Sequence, residues 1–265
     1  MKLVIAGAGG RMGRILIEMA LTSGDLELAA AVEVPGSPVI GKDAGELVGR
    51  PCGVKIAPSF ADGVAKGDCL IDFTRPEGTL AHLEQCVKKG VRMVIGTTGF
   101  SAEQDERIAA AARNIAIVKA PNMSAGVNVA FRLAETAART LGDGYDVEIL
   151  EAHHRHKIDA PSGTALEFGE VIARALGRDL ARVAVHGRKG EVGERDFKAI
   201  GFHSVRGGDI VGEHTVMFIG EGERVEISVR SGSRATYALG ALRAARFLEN
   251  RERGLYDMRD VLGLR

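Results

Sequence analysis

The sequence predicts an α/β protein with two domains, and three observations predict it. Short β-branched runs alternate with helical patterns through residues 1–124, the order that builds a parallel sheet with helices on both faces. Those runs are continuously apolar, as expected of strands covered on both sides. Beyond about residue 142 the pattern changes to closely spaced strands of mostly period two, which fits a smaller sheet with one open face. The expected fold is therefore a parallel sheet with helices on both faces, followed by a smaller α+β domain whose sheet has one face open to solvent or a partner. With 265 residues and 45% hydrophobic composition, the chain is long enough for two cores. The expected bounds are 1–124 for the first domain and 125–234 for the second, with a segment of about 235–265 packing back on the first.

Each element follows from its local pattern. "KLVIAG" reads as a strand leading into the helix "RILIEMAL", and "ELAAAVEV" as the next strand. "CLIDFT" gives way to the helix "EGTLAHLEQCVKK", "RMVIGTT" to "AEQDERIAAAAR", and "IAIVKAPN" closes the series. A helical stretch from about Gly126 to Leu141 then precedes "DVEILEAHH", "FKAIGFHSVR", "EHTVMFIG" and "RVEISVR". A last helix, "ATYALGALRAARFLEN", is expected to end the fold.

Composition excludes several classes of function. The 35 Lys and Arg balance the 35 Asp and Glu, so no positive excess marks nucleic acid or an anionic membrane surface as a partner. No apolar run approaches the roughly 18 residues of a spanning helix, and no signal peptide is evident. A cytoplasmic location is expected. Cys52, Cys69 and Cys86 are odd in number and lack metal-ligand spacing, which argues against a disulfide framework or a cysteine zinc site.

The first chemical site is "LVIAGAGGRMGRILIEMA". A strand running into Gly7, Gly9, Gly10 and Gly13 and then into a helix lets backbone amides approach a pyrophosphate where side chains would obstruct it. Glu33 ends the second strand, where a carboxylate can accept hydrogen bonds from ribose hydroxyls. The alternative is a tight turn with no ligand; strand, glycines, helix and acid in order favour a dinucleotide. "DFTRPEG", "GTTGF" and "APNMS" lie at the ends of later strands, where open parallel sheets bind ligands. Gly96, Thr97, Thr98, Ala120 and Asn122 there offer backbone and small polar groups for a nicotinamide and its ribose.

The second site is "EAHHRHKIDAPSGTALEFGEVIARAL". Ser162 or Gly163 starts a helix whose free amides favour a carboxylate or phosphate. His153, His154 and Lys157 precede it and add positive charge, while an imidazole with an ordinary pKa of about 6.5 can also exchange a proton. A small acidic substrate that must be protonated suits this arrangement. Zinc, a phosphate, and a solvated basic loop are the competing readings. Zinc is disfavoured because only Glu151 and Asp159 lie nearby as further ligands and adjacent strand histidines point to opposite faces; no metal is expected.

Together "GAGGRMG", "IDFTRPEGT", "VIGTTGF", "EAHHRHKIDAPSGTA", "GDIVGEHTVMF" and "GLYDMRDVLGL" resemble the 4-hydroxy-tetrahydrodipicolinate reductases, or dihydrodipicolinate reductases, of the diaminopimelate route to lysine. The resemblance spans essentially the whole chain. It implies a homotetrameric reductase of a cyclic dicarboxylate, using NADH or NADPH, with an N-terminal Rossmann-type parallel sheet and a second α+β domain whose open sheet serves substrate binding and oligomerisation. It further implies His153 as proton donor or acceptor, Lys157 as the other proton donor, and His154, Gly163 and Thr164 as substrate contacts. Gly7, Ala8, Gly9, Gly10, Arg11, Met12, Glu33, Gly96, Thr97, Thr98, Ala120, Pro121, Asn122, Met123 and Arg234 match its cofactor contacts. One position departs: relatives that use the phosphorylated cofactor often carry arginine after the ribose-binding acid, and here it is Val34. Dual use with a tilt toward NADH is expected, since Glu33 repels a 2′-phosphate and Val34 does not offset it. Two other classes remain as alternatives: another nicotinamide-dependent amino- or keto-acid dehydrogenase, and a non-catalytic, redox-sensing NAD-binding protein. The neutral charge and lack of a helix-turn-helix pattern count against the second.

Overall fold

The computed structural model describes residues 1–58, 60–64 and 66–265. The chain forms two compact units, one of Met1–Ala125 with Arg234–Arg265 and the other of Gly126–Ser233.

Among the described residues of the first unit, seven parallel strands lie in the order β12-β6-β5-β4-β1-β2-β3. They are β1 (Lys2–Ala6), β2 (Glu27–Val32), β3 (Ile56–Ala57), β4 (Cys69–Asp72), β5 (Arg92–Ile95), β6 (Ala116–Lys119) and β12 (Gly254–Tyr256). The helices are α1 (Arg11–Thr22), α2 (Phe60–Val64), α3 (Pro76–Lys89), α4 (Ala102–Ala111), α8 (Ala235–Leu248) and α9 (Met258–Leu262). Local signals set the helix ends. Pro76 opens α3 and left-handed Gly90 closes it, while Ser101 and Gln104 form a capping box on α4. Two apolar clusters cover the sheet's faces. Leu16, Ile17, Ala241 and Leu248 join Leu3, Ile5 and Val118 in one, and Leu80, Leu83 and Ile108 join Val4, Leu70 and Ile117 in the other. Strand order reverses beside β1, where β2 and β4 flank it, and such a switch point opens a crevice at the carboxyl ends of the strands.

The chain does not end on the last long helix. After α8 it adds β12, paired in parallel with β6, and the capped helix α9. Three residues are too short for a periodic signal, and only pairing along an existing edge makes them a strand.

In the second unit, five strands lie in the order β11-β10-β7-β9-β8: β7 (Asp146–His153), β8 (Ala184–His186), β9 (Ile200–Arg206), β10 (Gly212–Ile219) and β11 (Arg224–Ser231). β10 is antiparallel to β7 and β11, whereas β7, β9 and β8 run parallel. α5 (Ala125–Leu141) and α6 (Gly163–Ala175) cover one face, with Phe131 and Phe168 packed on Ile149, Phe202, Val216 and Phe218; the short α7 (Leu180–Val183) precedes β8. Val216 and Phe218 are thus core residues on the covered face. The outer face carries their alternates instead, including Leu150, Val205, Met217 and Ile219. Among the described residues, no helix is long and apolar enough to cross a membrane.

Candidate active site

The switch point of the first unit holds a cleft of about 680 Å³. Gly7 and Gly10 line it after β1, Glu33 and Val34 after β2, and Phe73, Thr74 and Arg75 after β4. Gly7 turns there with φ +67°, which a side chain would strain. A Cβ on Gly13 would overlap the Gly7 carbonyl, so glycine is what lets α1 start this close to the turn. The loop amides are mostly engaged internally. Ala8 N–H donates to Val32 O, Gly10 N–H to Gly7 O, and Gly9 N–H to Glu33 Oε2 at 2.8 Å. Arg11, Met12 and Gly13 begin α1, and no side chain caps that end. Their amides, which lack acceptors within the helix, are the donors this turn offers to a phosphate.

Behind the cleft, buried Asp72 accepts from Thr74 N–H at 2.8 Å and Thr74 Oγ1 at 2.7 Å, and lies 2.6 Å from His82 Nδ1. His82 stacks on Phe60 with centroids 3.9 Å apart, and both rings line the cleft with Arg75. A second recess of about 300 Å³ is lined by Arg11, Met12, Phe73, Gly96, Thr98, Pro121, Asn122, Met123, Arg234 and Tyr237. A Cβ at Gly96 would overlap the Phe73 ring, so a side chain there would displace a wall of the recess. The site residues expected in this unit therefore separate. Ala8, Thr97 and Ala120 are buried, with Ala120 N–H bonded to Ile95 O and Thr97 Oγ1 accepting from Thr79 Oγ1 at 2.9 Å; they shape the walls. Gly9 holds Glu33, and the other expected residues line the two recesses. An uncapped helix start, a glycine turn and an adjoining carboxylate fit a dinucleotide. Arg75, His82, Phe60 and Tyr237 are additions that the sequence pattern does not single out. Arg75 lies within "DFTRPEG", a segment the strand ends do mark, but nothing in the pattern brings His82 or Tyr237 to a recess.

In the second unit the basic run comes apart into distinct roles. His153 ends β7 and is 9% exposed. Its Nδ1 lies 2.6 Å from Glu151 Oε2, because residues two apart on a strand share a face. Arg206 grips both Glu151 oxygens at 2.7 Å, and Ser162 N–H donates to Oε1 at 3.2 Å. Burial pushes the Glu151 carboxyl up, but Arg206, Ser204 and His153 together outweigh it and hold the carboxyl at about 2. Burial likewise draws His153 below its ordinary value, against the opposing pull of Glu151. Ser162 caps α6, its Oγ accepting from Ala165 N–H at 3.2 Å and meeting His214 Nε2 at 2.9 Å. His214 is buried and held down to about 4, by burial first and then by neighbouring His153. Gly163 and Thr164 are the first residues of α6, at the end whose amides favour an anion. His154 carries a buried Nδ1 with no hydrogen-bond partner among the described residues. Lys157 Nζ donates to both oxygens of Asp159 at 2.8 Å. From sequence Glu151 is only a potential metal ligand, and Arg206 and His214, 55 and 52 positions from their partners, give no local signal.

A dinucleotide cleft at a sheet switch point, and a buried imidazole able to exchange protons beside an anion-favouring helix start, define a two-unit nicotinamide-dependent oxidoreductase. Comparison with known proteins narrows the class. The chain belongs to the dihydrodipicolinate reductase family: the N-terminal model of that family matches residues 1–123 and its C-terminal model residues 126–262. The 4-hydroxy-tetrahydrodipicolinate reductase of Dechloromonas aromatica (strain RCB) is 64% identical over 98% of this chain and 97% of its own. That of Nitrosospira multiformis is 58% identical over 100% of this chain and 98% of its own. A dipicolinate-bound dihydrodipicolinate reductase from Paenisporosarcina sp. TG-14 has a similar structure, with a TM-score of 0.75, 26% identity and 98% of each chain covered.

Proposed function

We propose that this chain reduces 4-hydroxy-tetrahydrodipicolinate to tetrahydrodipicolinate in the diaminopimelate route to lysine, with NADH or NADPH as reductant. The observation that carries this reading is similarity along the whole chain: relatives of that activity match the unit bearing His153 as fully as the unit bearing the glycine turn. A bound reduced nicotinamide supplies hydride to a ring carbon conjugated with the ring imine. The chain's own residues do the rest. An ionised carboxylate can only accept, so Glu151 keeps the His153 proton on Nδ1 and leaves Nε2 to exchange a proton with substrate. Lys157 supplies a second acid. The proton needed for loss of the hydroxyl as water, and the one needed after hydride addition, are assigned to this pair. Gly163, Thr164 and His154 bind the dicarboxylate, a role that the first turn of α6 and the orphaned His154 Nδ1 support.

On the cofactor side, Arg11, Met12 and Gly13 amides take the pyrophosphate, Glu33 the adenosine ribose, and Gly96 to Thr98, Pro121 to Met123 and Arg234 the nicotinamide end. NADH is used at least as well as NADPH, because Glu33 repels a 2′-phosphate and Val34 brings no cation. The protein assembles as a homotetramer through the outer face of the second unit's sheet. Leu150 and Val205, both more than a third exposed there, support an apolar contact. The direct test supplies aspartate semialdehyde and pyruvate through the preceding synthase and follows nicotinamide absorbance. Oxidation of the cofactor is expected; none would sink the reading.

A further inference from the structure

We propose that Glu151 is the positioning residue of the acid–base site, fixing both the tautomer of His153 and the register of the α6 N-terminus beside it. The proposal rests on the functional reading above and deepens it.

Three parts of the second unit, β7, β9 and the α6 cap, meet on one carboxylate. Oε2 takes His153 Nδ1 at 2.6 Å and Arg206 Nη1 at 2.7 Å; Oε1 takes Arg206 Nη2 at 2.7 Å and Ser162 N–H at 3.2 Å. The Ser204 hydroxyl adds a further bond. Glu151 is 2% exposed, so water does not compete for these positions. Through His153 it sets the imidazole, and through Ser162 it sets the helix start that presents Gly163 and Thr164. A change in its position moves the proton-exchanging nitrogen and the anion-binding amides together.

A plain structural ion pair would need less. Arg206 alone satisfies both carboxylate oxygens, yet the same oxygens also reach the ring and the cap. The charges bearing on His153 are Glu151 on its own strand, Arg206 on β9, Lys157 in the following loop and His214 on β10, whose ring centroid is 5.2 Å away. Glu151 is the anion bonded to the ring, whereas the neighbouring carboxylate of Asp159 is bonded to Lys157. The negative charge of Glu151 is therefore what favours the imidazolium against two cations and burial.

Glu151→Gln keeps the shape and removes the charge. We expect kcat at neutral pH to fall about tenfold or more, within the roughly 10²–10⁴ available to an acid–base group, with KM changed less than about threefold. The limb of the pH profile that disappears in His153→Asn should move to lower pH in Glu151→Gln, and Glu151→Asp should recover part of the rate. Imidazole nitrogen NMR of the whole protein, labelled at histidine and assigned with His153→Asn, gives a readout independent of substrate. It should show His153 protonated at Nδ1 in the parent and titrating lower in Glu151→Gln. A folded Glu151→Gln with unchanged pH limb and unchanged tautomer would overturn the proposal. Should that variant not fold, the parent spectrum decides alone, since an Nε2-protonated His153 contradicts it. A correct tautomer with no reductase activity would instead remove the functional reading and leave the pairing standing.

Discussion

At position 34 the wall of the cleft carries a valine that is 64% exposed, next to the acid that receives the Gly9 amide. Val34→Arg should raise the efficiency with NADPH relative to NADH by about one order of magnitude, the equivalent of a charge-assisted contact worth roughly 1.5–3 kcal/mol less the cost of ordering the side chain. The ratio of kcat/KM for the two cofactors in parent and variant measures it; an unchanged ratio would mean that position 34 does not meet the ribose. In the other unit, His153→Ala should lower kcat by about two orders of magnitude or more with little change in substrate affinity, since the lost group acts mainly in the transition state. Lys157→Ala should damage both kcat and KM. Near-parental turnover in both variants would remove both residues from the proton transfers assigned to them.

Helix α8 shows how an element far along the sequence shapes a recess. It buries Ala238, Gly240, Ala241, Leu242, Ala244, Ala245 and Leu248, and the small residues among them let the backbone come close to its neighbours. A Cβ on Gly240 would overlap the carbonyl oxygen of Met123, and Met123 lines the recess shared with Arg234 and Tyr237. Gly240→Ala should therefore cost about 1–3 kcal/mol by overpacking, and it should also weaken cofactor binding by shifting the 120–123 segment. Urea midpoints and cofactor titrations read the two effects. A stability loss without any loss of affinity would separate the helix from the recess.

The molecule as a whole should lose stability in acid in two stages. His214 is held near 4 in the fold against an ordinary 6.5, so the unfolded chain binds more protons between those values. Stability is full above about 6.5 and falls as pH drops through 4, by about 1.4 kcal/mol per pH unit in between for one such group. Glu148 and Glu151 are each held at about 2 against 4.5, burial opposing and their arginine partners prevailing. Their contribution is present above 4.5 and disappears as pH falls through 2. Urea unfolding at a series of pH values should show a plateau above about 6.5 and a decline below it; His214→Gln should flatten the upper part of that decline. Assembly is tested at the same scale. Leu150→Glu on the outer sheet face should shift light scattering toward smaller species, whereas a parent that is monomeric at micromolar concentration would contradict the proposed tetramer.

Period and punctuation alone carried most of the fold. Continuous apolar runs, glycines at Gly7, Gly10 and Gly13, and the change to period two after residue 142 are local signals, and local signals follow from backbone sterics and burial on one face. The same is true of the basic run ending at Lys157 and the helix start at Ser162. Tertiary structure decided what those residues do to one another. β12 exists because β6 offers an edge, and Val216 and Phe218 turn inward because α5 and α6 cover that face. The cleft acquires His82 only through Asp72, ten positions earlier on a different element. Glu151 becomes the centre of the proposed acid–base site because β9 and the α6 cap bring Arg206 and Ser162 to the carboxylate that already faces His153. Such contacts depend on strand pairing and side-chain direction, which a linear pattern does not give, and Arg206 lies 55 positions from the carboxylate it grips.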